Sequence, residues 1–415
     1  MGKILKNIFW LLTVQVTNFA LPLITLPYLG RVIGVKQFGV TMMALSFTQV
    51  LSLIIDYGFN LSATKQVSIH RENKSKINEI FSSIFIIKMV LMLGCLIALF
   101  VSMNFVNEIN NNKLFFLLFF GMVLGNSLFP LWFFQGMEKM RISSILNVVT
   151  KITFSLLIIL LVKDKSDFLI IPICYSIGYI ISGVLGIYIA YKIFKINLYV
   201  PQLNILKKHF KESTSYFLSR ISVSIYSIAN TFIIGIVLGS TLAGYFSAAE
   251  KLYSSILTVI SVIGDVLFPY MAKNKNIKVY KLISICTLAL SLIGIAILFI
   301  ITPYVITLIY GQGYERSITV LRILLISTIF AVPSILIGYP LLAAFGLERY
   351  TNSSVIIASC LHIVLLFIFI PSKSLLLYSS TLVITQFVVL AIRLLGVKKL
   401  KNMDRSKENV SYKIV

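Results

Sequence analysis

The sequence predicts an all-α polytopic membrane protein with about 12 transmembrane helices in two parallel-repeat six-helix bundles around a central cavity. Three observations carry that expectation. Of the 415 residues, 58% are hydrophobic and only 12% are charged, against roughly 25% charged in a soluble domain. Mean hydropathy is +0.95. Charge-poor runs of about 20 residues, long enough for a bilayer core, recur along the whole chain.

Taken in order, the runs are 7–29, 39–60, 80–103, 114–134, 142–162, 168–190, 213–238, 243–270, 282–302, 318–345, 351–370 and 374–394. Lys3 and Lys6 precede the first, and no small-x-small cleavage site follows it. It therefore reads as a span and not as a signal peptide. Arg31 and Lys36 separate the first run from the second. Lys163 and Lys165 separate the fifth from the sixth. The longest polar connection, residues 191–212, separates the sixth from the seventh. It sets the expected domains: a bundle over 1–200, and a second over 201–415 that ends in a short basic tail.

The basic residues also orient the chain. With the N-terminus inside, the cytoplasmic connections and tail hold 24 Lys and Arg and the opposite side holds 7. Such a bias in short loops sets topology, so both termini are expected in the cytoplasm. The net charge of +23 then reflects topology and contact with anionic membrane lipids, and no nucleic-acid partner is implied. Cys95, Cys174, Cys286 and Cys360 lie inside spans at no metal-ligand or redox spacing, and read as small packing residues. No cofactor is expected.

An internal repeat divides the spans into two sets of six. "LFPLWFFQGMEKM" (128–140) aligns without a gap on "GYPLLAAFGLERY" (338–350). Pro130 matches Pro340, Gly136 matches Gly346, Glu138 matches Glu348, and Lys139 matches Arg349. "GVKQFGVTMMA" (34–44) aligns on "GSTLAGYFSAA" (239–249) through two glycines and an alanine. Six spans is an even number, so the halves run the same way through the membrane. Transporters are often built from such repeats, with substrate handled where they meet. Locally, the proline loosens a span near its end, the glycine ends it, and the acid and base sit at the water boundary.

Ionisable residues inside spans cost about 2.5–3.5 kcal/mol each on insertion scales and so mark interiors or wet cavities. Here they are Asp56, Lys88, Lys151, Arg220, Glu250, Lys251, Asp265, Arg322, His362 and Arg393. Arg393 sits near a span end and reads as a snorkelling residue. His362 reads as a hydrogen-bonded packing group, and Asp265 as a near-surface partner for a lysine. Glu250 and Lys251 are adjacent, so on a helix they point about 100° apart and do not form a simple pair. For Lys88, snorkelling and a cavity role stand level. Arg220 belongs to a polar stripe with Ser213, Tyr216, Ser224, Ser227 and Thr231 at steps of three and four. The first span carries Gln15, Asn18, Pro22 and Thr25 at the same steps. Hydrogen bonding between helices explains such stripes; two of them on equivalent spans, one with arginine, favour a shared wet cavity. Buried cations outnumber buried acids, six to three, which suits an anion. Arginine matches phosphate oxygens best. Asp56 and Glu250 are then candidates for coupling to H+ or Na+.

The stretches "LITLPYLGRVIGVKQFG", "DYGFNLSATKQVSIHREN", "FPLWFFQGMEKM", "GYFSAAEKLY" and "LFPYMAK" resemble the polysaccharide (O-antigen type) flippase family of the MATE-like multidrug/oligosaccharidyl-lipid/polysaccharide exporter superfamily. The resemblance runs over the first 160 residues and roughly 210–275; beyond residue 280 it rests on the repeat. It implies two six-helix bundles around a cation-rich cavity. The implied substrate is an oligosaccharide repeat unit on undecaprenyl pyrophosphate, moved from the cytoplasmic to the outer leaflet of the bacterial inner membrane for O-antigen or capsule assembly, next to a polysaccharide polymerase. On it, Arg31, Lys88, Arg220, Lys251 and Arg322 are the expected contacts to pyrophosphate or acidic sugar. A drug or small-cation antiporter of the same superfamily is the nearest rival, and predicts a cavity of acids and aromatics. A polymerase or ligase is another, but the longest outer connection is about 15 residues with little catalytic furniture. An ATP-driven pump is excluded for this chain by the lack of a Gly-x4-Gly-Lys-Ser/Thr loop. A lipid-binding scaffold accounts poorly for duplicated polar-faced spans.

Overall fold

The structure is a computed structural model. It describes the backbone of residues 2–411 and the side chains of 21–218, 220–221 and 230–402. The expected Gln15, Asn18, Ser224 and Ser227 therefore lie outside the described side chains.

Among the described residues every regular element is helical. The α-helices are α1 Gly2–Asp56, α2 Phe59–Ile69, α3 Lys74–Phe105, α4 Asn107–Asn111, α5 Lys113–Leu128, α6 Leu131–Gly136 and α7 Met140–Leu161. They continue with α8 Ile170–Phe194, α9 Leu203–Leu238, α10 Ser240–Asn274, α11 Ile277–Tyr310, α12 Glu315–Ile337, α13 Glu348–Ile368 and α14 Leu375–Ser411. Each of the twelve predicted runs falls on helix. Ten segments of the described residues are long and apolar enough to cross a membrane. Many large apolar side chains along them face outward, such as Leu93, Ile97, Leu290 and Ile300, as a hydrocarbon solvent requires and water would not allow. Cys95 and Cys174 are buried packing residues as expected, but Cys286 and Cys360 are exposed on such outward faces.

The repeat is visible in the backbone. α1 holds two predicted spans and turns between them at Gly34, with φ 77° and ψ 168°. Its counterpart Gly239, between α9 and α10, has φ 91° and ψ 161°. This region is open only to glycine. The next matched pair, Gly39 and Gly244, sits at a close crossing. A Cβ on Gly39 would meet the Ser240 carbonyl oxygen at 1.7 Å, and one on Gly244 would meet that of Val35 at 2.3 Å.

The chain forms two compact units, residues 1–244 and 245–415. In the first, α5 and α8 pack through a glycine seam. A Cβ on Gly125 would strike the Tyr179 backbone at 2.3 Å, and one on Gly183 the Gly125 carbonyl at 2.4 Å. An aromatic core of Phe59, Phe81, Trp132, Phe133 and Phe134 ties α2, α3 and α6 together. α9 also belongs to this unit and packs on α1, α2 and α3. In the second unit, α14 packs on α12 and α13, and α11 on α12. Leu267, Met271, Tyr280, Leu341 and Leu342 form its core.

The two copies of the Pro-x5-Gly-x-Glu-base element end helices by different means. Pro130 separates α5 from α6, and Glu138 takes the left-handed conformation (φ 55°). Arg71 holds that turn, donating to the Gly136 carbonyl at 3.2 Å and pairing with Glu138 at 3.1 Å. Pro340 instead sits in a π-helical turn, Gly338–Ala343, and Gly346 takes the left-handed position at φ 78°.

Candidate functional site

The first unit contains a polar cavity of about 300 Å³. Its charged lining is Asp56 from the end of α1, Lys88 from α3 and Arg220 from α9. Three predicted site residues, more than 130 positions apart at the extremes, thus share one wall. Arg220 Nη1 donates to Asp56 Oδ2 at 2.9 Å, and Asn60 Nδ2 donates to the same oxygen at 2.7 Å. Lys88 is buried and within electrostatic reach of Asp56. It does not snorkel: its ammonium faces the cavity. Two cations against one carboxylate leave the cavity with a net positive charge. Such a site holds an anion by charge and, through the planar guanidinium, by paired hydrogen bonds.

A strained break in the chain sets Asp56 in place. α1 ends at Asp56, and both Tyr57 (φ 39°) and Gly58 (φ 79°) are left-handed. A non-glycine residue there costs on the order of 1–3 kcal/mol and persists only where its surroundings enforce it. α9 does the enforcing. The Tyr57 ring stacks between Phe210 and Phe217, with centroids at 4.2 and 4.6 Å, and its hydroxyl lies 3.2 Å from that of Thr214. Ser62 and Ser213 add a hydroxyl contact at 2.7 Å. The helix that clamps the break is the helix that carries Arg220.

Polar groups that the sequence reading missed complete the lining: Gln49, Ser52, Asn60, Asn126, Ser127 and Tyr179. Asn60 was within reach, since i, i+4 places it on the face of Asp56. Asn126 stands out as an amide in the apolar run 114–128.

The other predicted residues lie elsewhere. Arg31 is exposed on the first arm of α1, three residues before the Gly34 turn, and does not line this cavity. In the second unit, Lys251 Nζ sits 3.0 Å from Glu250 Oε2. That corrects the expectation that neighbouring residues on a helix do not pair; the long lysine stem curls around the axis. Arg322 lies over the Phe299 ring at 5.2 Å and donates to the Phe299 carbonyl at 3.3 Å, apart from Glu250 and Lys251.

Three further expectations resolve. His362 is buried, with Nδ1 2.8 Å from the Thr385 hydroxyl, a hydrogen-bonded packing group as predicted. Arg393 does not snorkel. It is buried and donates to the Ser334 carbonyl at 2.6 Å and the Ser354 hydroxyl at 3.1 Å. Pro333 and the π-turn interrupt the regular ladder of α12 there, and a guanidinium supplies the missing donors. Asp265 is exposed, with no ion pair among the described residues. The polar face of the first span, where described, serves helix packing: Thr25 donates to Ser155 of α7 at 3.0 Å.

A family profile described as polysaccharide biosynthesis protein matches residues 4–275. Candidate O-antigen transporters are similar over nearly the whole chain. One from Escherichia coli K12 is 26% identical, covering 95% of this chain and 97% of its own. One from Shigella dysenteriae is 28% identical, covering 87% and 92%. Among solved structures, the lipid II flippase MurJ in an inward closed conformation superposes with a TM-score of 0.71 at 16% identity, covering 94% of this chain and 87% of its own. An inward-facing MATE multidrug transporter gives 0.68 at 15%, covering 95% and 99%. At these identities the structural likeness establishes the fold. The sequence match establishes more: the chain belongs to the polysaccharide biosynthesis protein family, the polysaccharide flippases of the MATE-like superfamily.

Proposed function

We propose that the protein flips undecaprenyl-pyrophosphate-linked oligosaccharide repeat units from the cytoplasmic to the outer leaflet, for assembly of a surface polysaccharide such as O-antigen or capsule. It is a transporter and not an enzyme. The observation that carries this reading is the cavity in which Arg220, Lys88 and Asp56 meet, in a chain whose relatives are named as O-antigen transporters.

The mechanism follows from solvation. A sugar headgroup cannot enter hydrocarbon unaided, because each unpaired hydroxyl costs several kcal/mol. The amides and hydroxyls of the cavity wall replace water for the sugar. Arg220 and Lys88 hold the pyrophosphate. The lipid tail stays in the bilayer. Two repeats, 1–200 and 201–415, alternate in opening the path to either side, with Arg31, Lys251 and Arg322 as further contacts along it. Asp56 competes with the substrate for Arg220. Its release from that pair on substrate entry makes it the group poised to take up H+ or Na+, with Glu250 as the second candidate. The protein acts in the inner membrane with both termini in the cytoplasm, and hands its product to a polymerase outside.

Deletion in the native host, with lipid-linked oligosaccharide quantified on each leaflet, tests the reading. Build-up on the inner side, relieved by wild type and not by Arg220→Ala, is expected. Normal turnover with loss only of drug resistance would replace it with the antiporter reading. Unpolymerised units accumulating outside would place the protein after translocation.

A further inference from the structure

Lys151 is not used by the site described above. It lies in the middle of α7, eleven residues from Met140 and ten from Leu161. At 1.5 Å per residue, either end is about 15 Å away. A lysine side chain reaches only some 6 Å, so its ammonium cannot snorkel to either interface. Among the described residues it has no carboxylate partner and no hydrogen bond. A charge so placed needs something to face.

It faces a small recess of about 40 Å³, which opens beside the main cavity and shares Asn126, Phe129 and Tyr179 with it. The hydroxyls of Thr150 and Ser182 are satisfied within the protein, bonding to each other and to the Leu146 carbonyl. The other polar groups are not. Asn147 Oδ1 is buried without a partner. The Asn126 amide and the Tyr179 hydroxyl have none among the described residues. The recess therefore presents one ammonium, two amides and a phenol, and no acid.

Size selects the occupant. One water-sized group needs about 10–15 Å³ of such space, so the recess takes roughly three. That suits the three heavy atoms of a carboxylate and is too small for the five of a phosphate group. The pyrophosphate of the main cavity is thereby excluded.

We propose that this recess is a carboxylate subsite: Lys151 supplies the charge, and Asn147, Asn126 and Tyr179 the hydrogen bonds, to an acidic sugar of the transported glycan. The inference rests on the flippase reading and names its substrate class, a repeat unit containing a uronic acid or a sugar with a like carboxylate. The shared wall lets one ligand place its pyrophosphate against Arg220 and Lys88 and its acidic sugar against Lys151.

The test uses the full chain in lipid nanodiscs and equilibrium binding of four probes: glucuronate, glucose, acetate and undecaprenyl pyrophosphate. Wild type should bind glucuronate at least tenfold more tightly than glucose or acetate. Lys151→Met should lose tenfold or more for glucuronate and leave undecaprenyl pyrophosphate unchanged. Asn147→Leu, a second variant in case Lys151→Met does not fold, should lose severalfold in the same selective way. Glucuronate bound no better than glucose, or equally well by wild type and both variants, overturns the subsite. Acetate bound as tightly as glucuronate overturns its assignment to a sugar. The pyrophosphate probe judges the underlying reading separately. Its failure to bind wild type, with Lys151-dependent glucuronate binding intact, would sink the pyrophosphate assignment and keep the subsite.

Discussion

Arg220 and Arg393 are both arginines inside predicted spans, one in each unit, and the molecule uses them in opposite ways. Arg220 borders a cavity and holds a carboxylate that a substrate anion can displace. Arg393 is locked to the Ser334 carbonyl and the Ser354 hydroxyl beside an interrupted helix. The first unit leaves its charges facing open space. The second uses its buried polar groups, His362 with Thr385 and Ser327 with Tyr253, to close its own packing. Duplication supplied the same architecture twice, and the interiors then diverged. What separates a site from a structural plug is the presence of space and of a replaceable partner.

The largest expected effect falls on the second unit. Arg393→Met leaves a buried carbonyl without its donor, a loss of about 1–3 kcal/mol before repacking. Thermal unfolding in detergent should show a lowered midpoint, while transport per folded molecule is retained. Arg220→Met should do the reverse, sparing the midpoint and abolishing leaflet transfer. Two variants that behaved alike would erase the contrast between the units.

The hinge glycines come next. Gly34→Ala and Gly239→Ala place a Cβ in a region essentially closed to it, at on the order of 1–3 kcal/mol each. Similar losses of midpoint for both would sharpen the repeat. A neutral result at one would show that the two turns have drifted apart. The cavity pair is subtler. In a double-mutant cycle of Asp56→Asn and Arg220→Gln, stability should show a coupling of about 0.5–3 kcal/mol, as for residues in one network. Additive effects would mean that the pair does not hold together. The smallest effect is expected at the exposed Arg71–Glu138 pair. Glu138→Gln should change stability by less than about 1 kcal/mol, measured by the same melts.

The spans were legible because hydropathy reports solvent, and hydrocarbon is the solvent for most of this surface. The Gly34/Gly239 turns were legible because only glycine tolerates their backbone. The cavity was legible in part. Asp56, Lys88 and Arg220 announce themselves by the cost of their charge, but their meeting depends on the left-handed break at Tyr57–Gly58 and on the α9 ring clamp, and neither has a sequence period. Arg393 was misread as a surface group because the freed carbonyl it serves arises from the π-turn in α12. The Glu250–Lys251 contact was misread because side-chain length overrode helical angle. Arg31 and Arg322 show that a cation in or near a span need not line a cavity.

The central claim is that Arg220 and Lys88 form the anion site of the headgroup. Affinity for undecaprenyl pyrophosphate in nanodiscs tests it most directly, comparing wild type with Arg220→Ala and Lys88→Met. Each variant is expected to bind at least tenfold more weakly, and wild-type binding to weaken as salt rises. Equal affinity in all three proteins would contradict the account and remove the cavity from the transport path.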